Sequence, residues 1–526
     1  DATAATLPAL FVATTAVALG DLDGDGDLDA VFGDTAVPAG AQNRLLLNDG
    51  TGVLSDGTSI DLPSVVDATL AVALGDVDGD GDVDAFLGSD VSPYTPAQDR
   101  LLLNGGTGSF ADVTATNLPA LADAISAVAL GDVDGDGDLD AFLGTPAQDR
   151  LLLNGGGGLF TNVTASNLPA STDFTLAVAL VDFDGDGDLD AYLGNVAQDR
   201  LLLNGGAGVF ALAPPGTLPA DSDPTHAVAF GDLDGDGDLD MYLGNAGTPS
   251  AGQDRVYRQG VGGFTDVTAS SLPPLLDETY AVALGDVDGD GDLDVLVGNT
   301  AGAGNPAGGQ DRLLRNGGTG AFTDATAGNV PSLIGNTFAV SLGDVDEDGD
   351  LDAFVANYWQ QSRLYVNDGT GSFSDATTSA LPSLVDFDRA VALADLDGDG
   401  DLDAFAGVTG RERVYRNLAR QLSWRGIPRV GKPVTLDISG PPVGAWLLAA
   451  SDVTASLPLP PFGTLRLFPL TTFVVAGGAL DPQGRTSVSF PVPASPALVG
   501  FSLYWQALVG PPFRFTNLEV TTVTGL

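Results

Sequence analysis

Five aspartates at alternate positions of a nine-residue stretch, as in DVDGDGDLD from Asp132 to Asp140, make a ligand set for a hard cation. Carboxylates at positions 1, 3 and 5 and a backbone carbonyl at position 7 converge on one ion in the calcium-loop pattern D-x-[DN]-x-[DN]-G, whose glycine at position 6 allows the sharp turn. An aspartate at position 9 is expected to complete the oxygen cage from the start of the following strand. No histidine or cysteine enters any such loop, which argues against zinc, copper or iron. Without an ion the crowding is unfavourable, since two carboxylates about 4 Å apart repel by roughly 4 kcal/mol at an effective dielectric of about 20. An ion-free loop is therefore expected to be distorted or mobile.

The stretch occurs eight times. The metal-ligand candidates are Asp21, Asp23, Asp25, Asp27 and Asp29 in the first copy, and Asp76, Asp78, Asp80, Asp82 and Asp84 in the second. The third holds Asp132, Asp134, Asp136, Asp138 and Asp140, and the fourth Asp182, Asp184, Asp186, Asp188 and Asp190. Asp232, Asp234, Asp236, Asp238 and Asp240 form the fifth; Asp286, Asp288, Asp290, Asp292 and Asp294 form the sixth. The seventh has Asp344, Asp346, Asp348, Asp350 and Asp352, with Glu347 at the non-ligand position 4. The last has Asp395, Asp397, Asp399, Asp401 and Asp403. A merely acidic, halophile-like surface would scatter its charge, whereas five acids in each of eight copies account for forty of the 71 acidic residues. The expected cofactor is calcium, about eight ions, bracing the hairpin that each loop closes.

The elements that hold these loops follow from the same repeat. An apolar run such as AVAL precedes each loop, and DAFLG or a close variant follows it. RLLLN and then GSFADVT come next, with Gly-rich turns between them. Four short apolar runs without helical periodicity predict four β-strands per repeat. The NDG and NGG triplets suit tight hairpins. Runs such as RLLLN are apolar on both faces, so each sheet needs a neighbour on both sides, the arrangement of a β-propeller. The expected fold is thus all-β: an eight-bladed β-propeller over residues 1–425, then a β-sandwich of immunoglobulin-like type over 426–526. Asp1 to Pro8, DATAATLP, matches DATAGNVP from Asp324 to Pro331, while the eighth repeat lacks that tail. These first residues are expected to close the ring as the outer strand of the last blade, or to enter a neighbouring molecule.

Eight copies of AVALGDxDGDGDLDAFLG followed by RLLLNxGTGxF resemble FG-GAP/VCBS repeats, the calcium-bearing blades of integrin α-subunit headpieces and of many secreted bacterial proteins. The resemblance covers roughly residues 1–420. It implies a propeller with ions in its blade loops. The integrin propeller has fewer blades and loads only some, so eight complete loops depart from it.

A net charge of −51 excludes nucleic acid as a partner. Lys432 is the sole lysine, no apolar run is long enough to span a bilayer, and no membrane insertion is expected. The chain lacks cysteine, and its opening at Asp1 suits a mature secreted product, extracellular or at the cell surface. From residue 427 onward five basic residues face four acidic ones, so the negative charge belongs to the repeats.

Catalytic constellations are lacking in the sequence. His226 is the single histidine, at the head of a repeat strand, and is read as a packing residue. Arg44, Arg100, Arg150, Arg200, Arg255, Arg312, Arg363 and Arg413 each open a third strand, and are read as interblade or loop-bracing ion-pair partners. Tyr358 and Trp359 stand where other repeats have small residues, either packed or available to stack on a sugar or a protein partner. NVT at Asn162 is a lone glycosylation sequon, and the inserts Asn245–Gln253 and Asn299–Gln310 read as loops on one face. The expected function is non-enzymatic: an extracellular calcium-binding structural or adhesion protein acting through protein–protein contacts, by self-association into a surface filament or with another extracellular protein. The alternatives are a calcium-dependent glycan-binding lectin and, further off, a polysaccharide lyase or hydrolase.

Overall fold

The computed structural model describes residues 12–34, 42–48, 54–64, 67–90, 98–120, 123–220, 223–246, 252–274, 277–301, 309–346, 348–396, 401–410 and 413–417, together with ten strands between 422 and 522. Asp1 to Pro8, and with it the proposed closing strand, lies outside the described residues.

Each repeat forms an antiparallel sheet in chain order, seen plainly in the third: Ala127–Gly131, Asp140–Gly144, Arg150–Asn154 and Phe160–Asn162. The second strand, DAFLG, is buried along its whole length, as a strand covered on both faces must be. Phe142 of this strand packs edge-on against Phe210 of the fourth repeat, in a core that also takes Leu151, Leu193 and Leu202. Such a core recurs between each repeat and the next. The fold is thus a β-propeller-like array of repeated four-stranded sheets.

The expected fourth strand is shorter than its motif. Phe110–Asp112 pairs with the third strand, and the chain then turns through one helical turn, Thr114–Asn117. The cause is local: Thr114 N–H donates to Asp112 Oδ1 at 2.9 Å, and Leu101 N–H donates to the buried Thr114 hydroxyl at 3.1 Å. Together these bonds peel the chain off the ladder.

The succession of repeats returns to its start. First strands of consecutive repeats lie against one another, and that of the eighth meets that of the first. Phe405 of the eighth repeat packs on Phe32 of the first, with ring centroids 5.2 Å apart. Here the join is also main-chain: Val12 and Ala13 pair with Gly410 and Thr409. The long strand Asp352–Gln360 of the seventh repeat likewise pairs with Asp386–Ala394 of the eighth. Repeats seven, eight and one thereby share one 11-stranded sheet, whereas repeats two to six keep separate four-stranded sheets.

Beyond the array, Leu422–Arg425 pairs with Pro433–Ser439, which pairs with Arg485–Pro491. Ala445–Ser451 lies between Phe473–Ala479 and Ser502–Gly510 in a second antiparallel sheet. The first strand of these C-terminal sheets therefore begins upstream of residue 426, where the composition changes.

Candidate metal centres

Each Asp-rich loop links the first strand to the second, and its backbone is shaped by its own carboxylates. In the first repeat Gly24 N–H donates to Asp21 Oδ1 at 2.9 Å, and Gly26 N–H donates to Oδ2 at 3.1 Å. Gly26, at position 6, has φ +95, a conformation that side chains resist. Asp27 N–H donates to Asp25 Oδ1 at 3.0 Å. The same pattern holds in the second to sixth loops, for example at Gly79 and Gly81 on Asp76, Gly185 and Gly187 on Asp182, and Gly289 and Gly291 on Asp286.

This turn gathers acids. Carboxylate oxygens of Asp21, Asp23 and Asp29 lie within 4.8 Å of one another, as do those of Asp76, Asp78 and Asp84, of Asp132, Asp134 and Asp136, of Asp182, Asp184 and Asp190, and of Asp232, Asp234 and Asp240. These clusters can hold a metal ion, and their all-oxygen donors fit a hard dication. Position 9 also ties the loop to its sheet. Asp29 is fully buried and accepts Leu22 N–H at 2.8 Å and Asn48 N–H at 2.7 Å, tying the loop to the third strand. Burial pushes its carboxyl up to about 7, against the lowering effect of those two N–H donors. Asp84, Asp140, Asp190, Asp240, Asp294 and Asp352 are each pushed up to about 6 by the same burial. Position 3 is raised too, by desolvation and then by the neighbouring acids, as at Asp23 and Asp134. A dication among these groups reverses that penalty.

Position 7 turns away from the cluster. A Cβ on Gly106, Gly206 or Gly318 of the following hairpin would collide with Asp82, Asp188 or Asp292 respectively, so those carboxylates lie against the hairpin. Among the later loops, Asp346 is pushed up to about 6 by burial and by Asp348. Asp350 N–H donates to Asp348, and Gly349 N–H donates to Asp344. In the eighth loop Asp397 and Asp399 lie outside the described residues, while Asp403 accepts Leu396 N–H at 3.1 Å and Asn417 N–H at 2.6 Å.

The loops are not equivalent. Four repeats carry a leucine before the last residue of the third strand, Leu47, Leu103, Leu153 and Leu203, where repeats five and six carry Arg258 and Arg315. Arg258 Nη1 lies 3.2 Å from Asp234 Oδ2, and Arg315 Nη1 lies 3.4 Å from Asp288 Oδ2. In those two loops a resident guanidinium faces the position-3 carboxylate.

FG-GAP-like repeats match residues 21–87, 90–143, 132–193, 191–243, 245–297, 301–355 and 344–406. The chain belongs to the FG-GAP-like repeat family. A search of the curated proteins finds no match. Among solved structures, the array is similar to an Agrocybe aegerita lectin described for specific recognition of non-reducing terminal N-acetylglucosamine, at 18% identity and a TM-score of 0.41, over 70% of this chain and 90% of that one. A likeness at that level carries no argument for fold or ligand.

One recurring feature of this chain was not legible as functional in the sequence. The Asn at the end of the third strand in seven repeats reads there as a hairpin residue, yet its side chain clasps the loop of the preceding repeat. Asn104 Nδ2 donates to Leu22 O at 2.6 Å, Asn154 to Val77 O, Asn204 to Val133 O, Asn316 to Leu233 O and Asn367 to Val287 O. Gln259 does the same to Phe183 O and Asn417 to Val345 O. Asn48 completes the circuit on Leu396 O, at 2.6 Å, in the eighth loop. Its recurrence in seven of the eight repeats was the available signal. A second is the Asp before five of the recurring arginines, at Asp99, Asp149, Asp199, Asp254 and Asp311. Asp99, almost wholly buried, accepts Ser89 N–H and is pushed up to about 7 by burial; Asp311 accepts Asn299 N–H and is pushed up to about 6.

The recurring arginines brace loops within their own repeat. Arg100 reaches Asp67, which precedes the first strand, at 2.6 Å, and Arg150, Arg255 and Arg312 reach Asp123, Asp223 and Asp277 in the same way. Arg200 and Arg363 make longer pairs with Asp173 and Asp375, and Arg44 is buried against Asp34 at 2.9 Å. His226 is half-buried against the Tyr280 ring, 4.5 Å away, and burial lowers its pKa. Asn162 uses its side-chain oxygen to accept Thr164 N–H. Tyr358 is half-buried and Trp359 is 63% exposed. In the insert Asn299–Gln310, Gly309–Gln310 pairs with Ile334–Gly335, while residues 302–308 lie outside the described part, as do 247–251 of the insert Asn245–Gln253.

Proposed function

We propose that this FG-GAP-like chain is an extracellular, calcium-braced, eight-bladed β-propeller with a C-terminal immunoglobulin-like sandwich. On this reading it works without catalysis, through protein–protein contacts in a surface assembly. FG-GAP-like repeats suggest a protein-interaction domain. The observation that carries the reading is the repeated use of the acids: three carboxylates of each of the first five loops gather on the same hairpin, linked to the next repeat by an Asn or Gln side chain. Aspartates at positions 1, 3, 5 and 9 would hold the ion, which supplies neutralising charge. The chain's own N–H groups set the loop, and the Asn side chain passes its rigidity to the neighbour.

Such a molecule offers surface rather than a reaction cleft. A depression of 470 Å³ lined by Gln148, Arg150 and Thr164 has a homologue of 530 Å³ lined by Gln253, Arg255 and Thr268, so it belongs to the repeat. Among the described residues no helix is long and apolar enough to cross a membrane. The acidic array and the nearly neutral, proline-containing C-terminal region favour head-to-tail contact, and a heterologous contact that does not close generates a filament. Light scattering and imaging of purified protein in millimolar calcium test this. Concentration-dependent assemblies are expected, and a monomer at every concentration overturns it. Incubation with polysaccharides is expected to release no product. A second reading, glycan binding, is favoured by the exposed indole of Trp359.

A further inference from the structure

The end of the array opposite the metal loops carries a set of touching rings found in only half of the repeats. The loops follow the last residues of the first strands, whereas His226, Tyr280 and Phe338 sit near the beginnings of the first strands of repeats five, six and seven. Their ring centroids are 4.5 and 5.0 Å apart in succession, and Tyr358 continues the chain 5.3 Å from Phe338. At the corresponding positions repeats one to four have Thr15, Leu70, Ser126 and Leu176.

The arc ends on Trp359. Tyr358 pairs with Phe387 and Gln360 with Asp386, so Trp359 is the extra residue of a bulge where the seventh repeat joins the eighth. Bulges re-aim side chains, and this one ejects the indole outward. Trp359 is the single non-glycine residue with positive φ, at +63, among the described residues. That conformation is unfavourable for a bulky residue and persists only where its surroundings impose it. Its ring stands nearly perpendicular to those of Phe387 (4.7 Å, 81°) and Tyr358 (6.3 Å, 77°) and remains largely in solvent. The exposed Arg389 lies over Tyr358 at 4.8 Å and over Phe338 at 5.5 Å.

We propose that this arc is a binding site for a neutral oligosaccharide, with a pyranose face stacked on Trp359 and hydroxyls bonded by Arg389 and the Tyr358 phenol. A net charge of −51 disfavours polyanions. A cationic ligand finds its place over the rings already taken by Arg389. A proline-rich peptide docks in aromatic-lined grooves, and rings in mutual contact leave a platform without a groove. A neutral pyranose combines a flat C–H face with hydroxyls that accept from a guanidinium, which suits what remains. The inference rests on the glycan reading and is independent of the assembly reading.

The test is titration of the full chain in millimolar calcium with chitotriose, cellotriose, mannotriose and xylotriose, and with decaproline, followed by tryptophan fluorescence and calorimetry. The variants are Trp359→Gly, which suits the positive φ, Arg389→Ala, and Val261→Ala as a remote exposed control. Saturable binding of at least one trisaccharide is expected. Trp359→Gly should weaken it by roughly tenfold or more, the loss of one stacking ring, with an unchanged or higher melting point. Arg389→Ala should weaken it and Val261→Ala should leave it unchanged. Trisaccharide binding that survives Trp359→Gly in folded protein overturns this site while sparing the glycan reading. Absence of binding by every trisaccharide, or binding of decaproline alone, overturns both.

Discussion

Repeats two to six and the trio of seven, eight and one solve the same packing problem in different ways. In the former, neighbouring sheets meet through side chains, with a Phe or Tyr core and one Asn or Gln clasp per junction. In the latter, second strands run past their own sheets and pair with the next first strand, so that main-chain hydrogen bonds join three repeats. Regular repetition makes each junction depend on its loop, whereas the trio holds its junctions directly. The lengthening also produces the Trp359 bulge, so the departure that strengthens the array creates its most individual surface.

The largest effect expected from this contrast is that of metal removal. An ion at about 100 times its dissociation constant adds about 2.7 kcal/mol, so stripping several ions should lower the melting midpoint by about 10 °C or more. Hydrogen exchange in chelator should show repeats two to six losing protection before Asp352–Gln360 and Asp403–Gly410. Uniform loss would break the comparison, and an unchanged midpoint after verified ion removal would sink the bracing role of calcium.

Truncating one core ring on each side sharpens it. Phe405→Ala, in the core shared by the eighth and first repeats, and Phe142→Ala, in that of the third and fourth, should each cost about 3–5 kcal/mol, since both rings are fully buried. The former should expose amides at both ends of the array, and the latter only those of its two repeats. Mapping protection in the two variants decides between this and a single cooperative unit.

A smaller difference is expected within the separate sheets. Arg258 and Arg315 place positive charge beside Asp234 and Asp288, and a dication is repelled there. Calorimetric titration should resolve weaker sites, and Arg258→Leu with Arg315→Leu, restoring the residue of the first four repeats, should tighten them by roughly three- to tenfold, the effect of about 1 kcal/mol. One affinity class in both proteins would refute it.

The smallest effect is on pH. Asp99 and Asp311 have carboxyls pushed above their ordinary value, to about 7 and about 6. Their contribution to stability is full below about 4 and is lost as pH rises through about 6 to 7. Calcium-free protein should therefore melt several degrees lower at pH 8 than at pH 5. With calcium the slope should flatten or reverse, because ligands bind as carboxylates. Asp99→Asn should reduce the calcium-free slope, and a slope equal in wild type and variant would count against Asp99 as its source.

The repeat, its strands and the gathering of its aspartates were legible because each follows from spacing along the chain: alternate aspartates, glycine at position 6, and apolar runs of strand length. Local hydrogen bonds such as Gly26 N–H to Asp21 then close the loop without help from elsewhere. The Asn clasps, the buried Asp99 and Asp311, and the early end of each fourth strand depend on which carbonyl or hydroxyl a neighbour presents. A residue read as a turn former, such as Asn104, acquires its partner only when Leu22 of another repeat arrives beside it. The join between the first and eighth repeats and the ejection of Trp359 belong to tertiary structure for the same reason. Both are set by pairing between strands distant in sequence or in different repeats, where geometry rather than residue type decides what is bonded and what is left in water.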